Sequence, residues 1–353
     1  MAGKWFNREK DWEKVVLAGD IGGTNTNLAL VGLKQGNYTI LMESVFQSAK
    51  IESIIEPVKE VVEEGKANRV TPSICCISAA GAVENNFCSL TNCSWDIDGN
   101  QIKEETSLDT VIINDFMAIS YGIPTLDTDN PEQIIPLKHS DGSLPSPDSA
   151  AKAVVGPGTG LGVSYIAHHN GEYIPCPSEG GHALFSDFDE ETRYLKEFMR
   201  KKLGKKPGTE PFVSGQGISN IFDYYIQEKG IRAEGVIKEI QSAPAEDRPA
   251  LISKHSLENQ VCREIMELFG KMFASFASDI AALFLPLGGL YIAGGIVIKN
   301  QDLLIKDNLF MSIFEDNYNP NLVPILKKIP VFIIKDYSIS LYGAANAAVR
   351  ILG

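Results

Sequence analysis

Twice along the chain, an apolar run of strand length stops at a glycine-bearing turn and is followed at once by two further apolar runs. The first instance is Val15 to Ala18, then Asp20 with Gly22-Gly23, then Leu28 to Leu33 and Tyr38 to Phe46 joined across Gln35-Gly36-Asn37. The second is Lys152 to Val155, the turn Gly156 to Gly162, then Val163 to His168 and Glu172 to Cys176. Glycine lets a chain reverse tightly and lets backbone N–H groups approach a bound group with no Cβ in the way. The two stretches share a local plan without a sequence repeat, which implies two α/β lobes rather than one core, and 353 residues suffice for two. Ligands favour the space between lobes, so both turns are expected to face one interdomain cleft.

The remaining pattern fills in around these starts. Ile51, Ile54, Ile55, Val58, Val61 and Val62 recur at helical spacing, and Ser73 to Ala79 reads as a strand. Thr110 to Ile113 is a strand ending at Asn114-Asp115, with a helix starting at Phe116 to Tyr121. Leu126 to Ser149, rich in Pro, Asp and Ser, reads as a surface connection. Helices are expected over Glu190 to Leu203, Gly217 to Glu228 and Leu257 to Leu285, strands over Leu290 to Ala293 and Val331 to Ile334, and a final helix over Ser340 to Ile351. The expected division is a small domain of residues 1–113 plus 337–353 and a large domain of residues 114–336.

A net charge of −13 argues against nucleic acid or an anionic membrane as the partner. It does not exclude a nucleotide, since backbone amides, helix N-termini and Mg²⁺ hold phosphates without a basic surface. The basic cluster Arg200-Lys201-Lys202 falls where a helix should end and reads as a solvated cap. No apolar run approaches the ~20 residues of a membrane span, and the polar start MAGKWFNREKDWEK lacks a signal peptide's apolar stretch, so a cytoplasmic location is expected. The six cysteines form neither a disulfide framework nor a zinc spacing, and Cys75-Cys76 should point to opposite faces of one strand.

Five constellations bear chemistry. In Asp20-Ile21-Gly22-Gly23-Thr24-Asn25 the glycines admit a phosphate, Thr24 and Asn25 add donors, and Asp20 is a hard oxygen suited to Mg²⁺ or its waters. An ordinary hairpin turn is the competing reading. Gly156-Pro157-Gly158-Thr159-Gly160-Leu161-Gly162 fits neither the dinucleotide fingerprint nor a P-loop, and pairing with the first turn favours a bipartite phosphate clamp. Asn114-Asp115 at a strand-to-helix junction offers a carboxylate base, although on local sequence alone a helix cap is the better reading. Glu179 and His182, with Glu210 further on, suit a polyhydroxylated ligand better than a metal. Gly294-Gly295 after a strand permits a flat ring against the backbone.

Six stretches, VLAGDIGGTNTNLAL from Val16, IINDFMAI from Ile112, VGPGTGLGV from Val155, Gly180-Gly181-His182 after Glu179, FVSGQGISNI from Phe212 and YIAGGIV from Tyr291, together resemble the bacterial-type glucokinases, in that family's order. The resemblance implies the two-domain actin-like ATPase (ribonuclease H-like) fold. It also implies ATP-dependent phosphorylation of glucose to glucose 6-phosphate with Mg²⁺. By the same resemblance Asp115 is the catalytic base, and Asn114, Glu179, His182 and Glu210 join it as sugar ligands. Asp20, Gly22, Gly23, Thr24 and Asn25 correspond to the first phosphate loop, Gly158, Thr159 and Gly160 to the second, and Gly294 and Gly295 to the adenosine motif. Asn27 stands where many relatives carry Arg. The related ROK sugar kinases carry a Cys-rich zinc motif that is missing here, where only Cys176 lies near the sugar histidine. A kinase for another hexose and a non-enzymatic actin-like nucleotide switch are the rival readings, and a homodimer is the commonest assembly for such an enzyme.

Overall fold

The structure, a computed structural model, describes residues 3–90 and 93–353. The chain forms two compact units, Met1–Thr128 with Asp336–Gly353, and Asp129–Lys335.

The first unit is built on a six-stranded sheet with β1 (Lys4–Trp5), β2 (Lys14–Ile21), β3 (Asn25–Lys34), β4 (Asn37–Gln47) and β5 (Ile74–Ala79). A small three-stranded sheet follows, β6 (Val83–Glu84), β7 (Phe87–Cys88) and β8 (Ile97–Asp98), and β9 (Asp109–Asn114) then completes the main sheet. Its order is β1-β4-β3-β2-β5-β9, with β2, β3 and β4 an antiparallel meander and β5 and β9 parallel to β2. The Gln35-Gly36 reversal expected between the second and third strands is present between β3 and β4, both residues having positive φ.

Alternation along these strands assigns two buried faces. Leu17, Leu28, Leu30, Cys75 and Ile77 pack under α1 (Ile55–Ala67) and α2 (Gly99–Thr106). Val16, Ala18, Ala29 and Cys76 pack with the opposite layer, α3 (Asp115–Gly122) and the C-terminal helix Ile339–Leu352. Cys75 and Cys76 therefore do face opposite ways, and burial pushes the Cys75 thiol up to about 12. The C-terminal helix approaches α3 so closely that a Cβ on Gly343 would lie 1.7 Å from the Ala118 carbonyl oxygen. That packing draws residues 114–128 into the first unit, so the division falls at Thr128/Asp129 and not at 113/114 as read from the sequence.

The second unit repeats the plan with the order β10-β15-β14-β11-β12-β13. Its strands are β10 (Ile134–Leu137), β11 (Lys152–Pro157), β12 (Leu161–His169), β13 (Glu172–Ser178), β14 (Leu290–Ile292) and β15 (Val331–Ile334). Again the first three strands after the connection, β11, β12 and β13, form an antiparallel meander, and β14 and β15 lie parallel on the other side of β11. The segment read as a surface connection contains β10, a short edge strand antiparallel to β15. Pro136 within it is tolerable at an edge and is what hid the strand from a sequence reading.

Helices α4 (Glu190–Leu203), α5 (Gly215–Gln227), α6 (Gly235–Ser242), α7 (Arg248–His255) and α8 (Gln260–Phe284) bury the core of this unit. Ile265, Leu268, Met272, Phe276 and Ile280 of α8 form the expected stripe. Arg200, Lys201 and Lys202 occupy the last turn of α4, which ends on Gly204 in the left-handed conformation, as the cap reading required. Among the described residues no helix is long and apolar enough to cross a membrane.

Candidate active site

In the first unit the β2–β3 turn closes through a 2.9 Å bond from the Gly22 N–H to the Asn25 carbonyl, which leaves Gly23 and Thr24 at an exposed tip. Ser48 holds the turn from the protein side. Its N–H donates to the Thr24 carbonyl at 3.0 Å and its Oγ to the Gly22 carbonyl at 2.7 Å. With those carbonyls drawn inward, the tip suits an anion rather than a cation.

Asp20 precedes this turn, opposite Asn27 in the β2–β3 ladder. Its two carboxylate oxygens are held separately, Oδ1 by the Ser78 hydroxyl at 3.0 Å and Oδ2 by the Ser340 hydroxyl at 2.8 Å. Neither serine was singled out from the sequence. Ser78 is a lone hydroxyl in an apolar strand and Ser340 one of several hydroxyls around the start of the last helix, and only the strand pairing of β5 beside β2 and the return of that helix reveal them.

Asn114 ends β9 and Asp115 opens α3. The cap reading holds for Asn114, whose Oδ1 accepts the Phe116 N–H at 2.9 Å while its Nδ2 donates to the Gly81 carbonyl at 3.1 Å. Asp115 Oδ1 shares the same Phe116 N–H at 2.8 Å. Burial holds the Asp115 carboxyl above the usual carboxylate range; the Phe116 N–H opposes this, and the negative charge of Asp20 adds to it. A half-buried carboxylate of raised proton affinity on a rigid junction is equipped to take a proton from a substrate.

In the second unit β11 runs into the turn at Gly158–Gly160, closed by a 2.8 Å bond from the Gly158 N–H to the Gly160 carbonyl. The first residue of α5, Gly215, donates its N–H to the Gly158 carbonyl at 2.8 Å. Ser214 caps that helix, its Oγ accepting from the Gly217 N–H at 3.0 Å and donating to the Glu210 carbonyl at 2.8 Å. Sequence reading placed Ser214-Gly215 in a resembling stretch but did not assign it to the turn.

Gly294 follows β14, which lies beside β11, and the bond from the Ala293 N–H to the Val155 carbonyl (2.9 Å) continues their pairing. Gly294 has φ +106°, and a Cβ there would sit 2.6 Å from the Pro157 carbonyl oxygen. Only glycine satisfies both conditions. Gly295 opens the short helix α9 (Gly295–Lys299). The glycine pair and the Gly158–Gly160 turn are thus neighbours at the ends of adjacent parallel strands, a common site for nucleotides in α/β sheets.

Glu179, His182 and Glu210 meet in the same unit. His182 Nε2 lies 3.7 Å from Glu179 Oε2 and its Nδ1 lies 4.0 Å from Glu210 Oε1. These separations exceed hydrogen-bond length, so the polar atoms face one another with their bonding capacity unspent. His182 and Glu179 are exposed, and Glu210 is partly so. Close packing brings the three together. The Glu210 N–H donates to the Gly181 carbonyl at 2.9 Å, and a Cβ on Gly181 would lie 2.0 Å from the Leu161 carbonyl oxygen. Among the described residues no three or more His, Cys, Asp or Glu side chains are grouped to hold a metal.

Of the residues expected to act, the first unit therefore carries Asp20, the Gly22–Asn25 turn, Asn114 and Asp115. The second carries Gly158, Thr159, Gly160, Glu179, His182, Glu210, Gly294 and Gly295.

Comparison with known proteins accords with this arrangement. Over 96% of its length the chain is 32% identical to a glucokinase of Nostoc punctiforme, covering 99% of that protein. It is 31% identical to a glucokinase of Cronobacter sakazakii, over 96% of this chain and 98% of that one. Among solved structures, a glucokinase from an Antarctic psychrotroph superposes with a TM-score of 0.80 at 26% identity, over 96% of this chain and 99% of the other. The fold is accordingly the two-domain actin-like ATPase fold. The family model described as Glucokinase matches residues 17–351, nearly the whole chain, and the protein belongs to the glucokinase family.

Proposed function

We propose that this chain transfers the γ-phosphoryl group of ATP to the 6-hydroxyl of glucose, with Asp115 as the general base. The observation that supports it most is the meeting of Glu179, His182 and Glu210 with unspent bonding capacity, a set with no use in a nucleotide switch. These three, with Asn114, would bind the sugar hydroxyls. The Gly22–Asn25 and Gly158–Gly160 turns would hold phosphates through backbone N–H groups, and Gly294-Gly295 would lie against adenine. Asp115 would accept the hydroxyl proton as the oxygen attacks phosphorus, a contribution of about 10²–10⁴-fold. Positioning would supply most of the remainder.

Mg²⁺ fits this site as an ion that comes with the nucleotide. Both oxygens of Asp20 already accept serine hydroxyls, and no cluster of three ligand side chains occurs among the described residues. Asp20 would therefore contact the ion's waters, while the ion itself would neutralise phosphate charge. A cytoplasmic setting accords with six free cysteines, and a homodimer is the assembly we propose. Light scattering of the purified protein tests the latter.

Initial rates with Mg-ATP across glucose, fructose, mannose and N-acetylglucosamine test the substrate. Glucose is expected to give the highest kcat/KM. A higher value for another hexose would make the protein a kinase for that sugar.

A further inference from the structure

Glu210 does more in this fold than present an oxygen to a sugar. Its two carboxylate oxygens face different elements. Oε1 lies on the His182 side, 4.0 Å from the imidazole Nδ1. Oε2 accepts the backbone N–H of Leu161 at 2.9 Å, and Leu161 is the residue that leaves the Gly158–Gly160 turn.

The neighbouring glycine makes this bond possible. A Cβ on Gly160 would come within 2.5 Å of Glu210 Oε2, so any other residue there would push the carboxylate off the turn. The backbone of Glu210 is committed to the same region. Its carbonyl accepts the Ser214 hydroxyl at 2.8 Å, and the helix that Ser214 caps donates the Gly215 N–H to the Gly158 carbonyl at 2.8 Å. One residue is thus bonded to the glycine turn by its side chain directly and by its main chain through Ser214-Gly215.

We infer that Glu210 couples sugar binding to nucleotide binding, so that each ligand raises the affinity for the other. This rests on the reading of Glu210 as a sugar ligand and of the Gly158–Gly160 turn as a phosphate loop. The physical cause is shared ordering. A sugar hydroxyl donating to Oε1 fixes the plane of the carboxylate and hence the direction in which Oε2 holds the Leu161 N–H. The turn is then ordered before the phosphates arrive, and the second ligand meets a smaller entropic cost. Thermodynamic linkage makes the effect equal in both directions, and couplings of this kind are commonly about fivefold or more.

Calorimetric titration of glucose, with and without a saturating non-hydrolysable ATP analogue and Mg²⁺, measures the coupling as a ratio of Kd values. It should be run on the wild type and on Glu210→Ala, Gly160→Ala and His182→Ala. In the wild type the analogue is expected to tighten glucose about fivefold or more. Glu210→Ala and Gly160→Ala should bring the ratio within about twofold of unity. The two act by different routes, one removing the carboxylate and the other displacing it, so misfolding of either leaves the other decisive. His182→Ala should weaken glucose yet keep the wild-type ratio, because the bond between Glu210 and Leu161 remains. A wild-type ratio of unity, or wild-type ratios in both coupling variants, would overturn the inference. If glucose fails to bind the wild type, or His182→Ala leaves its affinity unchanged, the sugar-site reading fails instead.

Discussion

Ser340, near the end of the chain, donates its hydroxyl to Asp20 near the beginning at 2.8 Å, across 320 positions of sequence. Ser78 takes the other oxygen of the same carboxylate at 3.0 Å. Three segments distant in sequence thereby fix one acidic side chain, and the last helix of the chain reaches back to hold it.

Loss of either hydroxyl leaves a charged, partly buried acceptor short of a partner. Ser340→Ala is expected to lower the unfolding free energy by roughly 1.5–3 kcal/mol, the usual range for a hydrogen bond to a charged group. Urea denaturation with an unchanged m-value checks it. A change below about 0.5 kcal/mol would mean that water replaces the hydroxyl at no cost.

Replacing the proposed base separates chemistry from binding. Asp115→Asn keeps the shape of the side chain and an oxygen able to accept the Phe116 N–H. Turnover should fall by about two to four decades while affinity for the nucleotide stays within about threefold. Near-normal turnover would remove Asp115 from the mechanism.

The environment of Asp115 also sets a pH signature. Burial raises its proton affinity, the Phe116 N–H opposes that, and the charge of Asp20 adds to it. A base works ionised, so kcat/KM should fall as the pH drops through a value above the ordinary range for aspartate. That acid limb should be absent from the residual activity of Asp115→Asn. A limb at or below the usual aspartate value in the wild type would show that another group governs it.

Lys152 offers a test of the second unit that does not depend on catalysis. Its amine is buried between the Gly288 carbonyl and the Tyr291 hydroxyl, at 2.9 and 3.2 Å, and burial lowers its pKa from 10.5 to about 8. Between about pH 8 and 10.5 the unfolded chain holds a proton there that the folded chain has lost, so folding is favoured as the pH rises through this window. Relative to Lys152→Met, the wild type should gain up to roughly 3 kcal/mol across that window. Paired chemical denaturation of the two proteins at pH 7.5, 9 and 10.5 reads the difference, and a flat or falling difference would contradict it.

Much of this was legible in the residues. The glycine turns after apolar runs gave both meanders, because a tight reversal between strands leaves a local trace in composition. Asn114 was readable as a cap for the same reason. The division at Thr128/Asp129 was not legible, since it depends on how closely Gly343 lets the last helix approach Ala118, a contact between segments far apart in sequence. β10 escaped because a four-residue edge strand with a central proline carries little periodicity. The partners of Asp20 and the bond from Leu161 to Glu210 were invisible for a further reason. A serine in a strand or a helix, or a backbone N–H, has no sequence signature of its partner until the packing around it is known.

The most direct measurement is product identification by ³¹P NMR after incubating the protein with Mg-ATP and glucose. Phosphoryl transfer to the 6-hydroxyl should yield glucose 6-phosphate and ADP in equal amounts, with little inorganic phosphate and almost no ADP when glucose is omitted. ADP and inorganic phosphate formed at the same rate with or without sugar, and no sugar phosphate, would contradict the kinase reading.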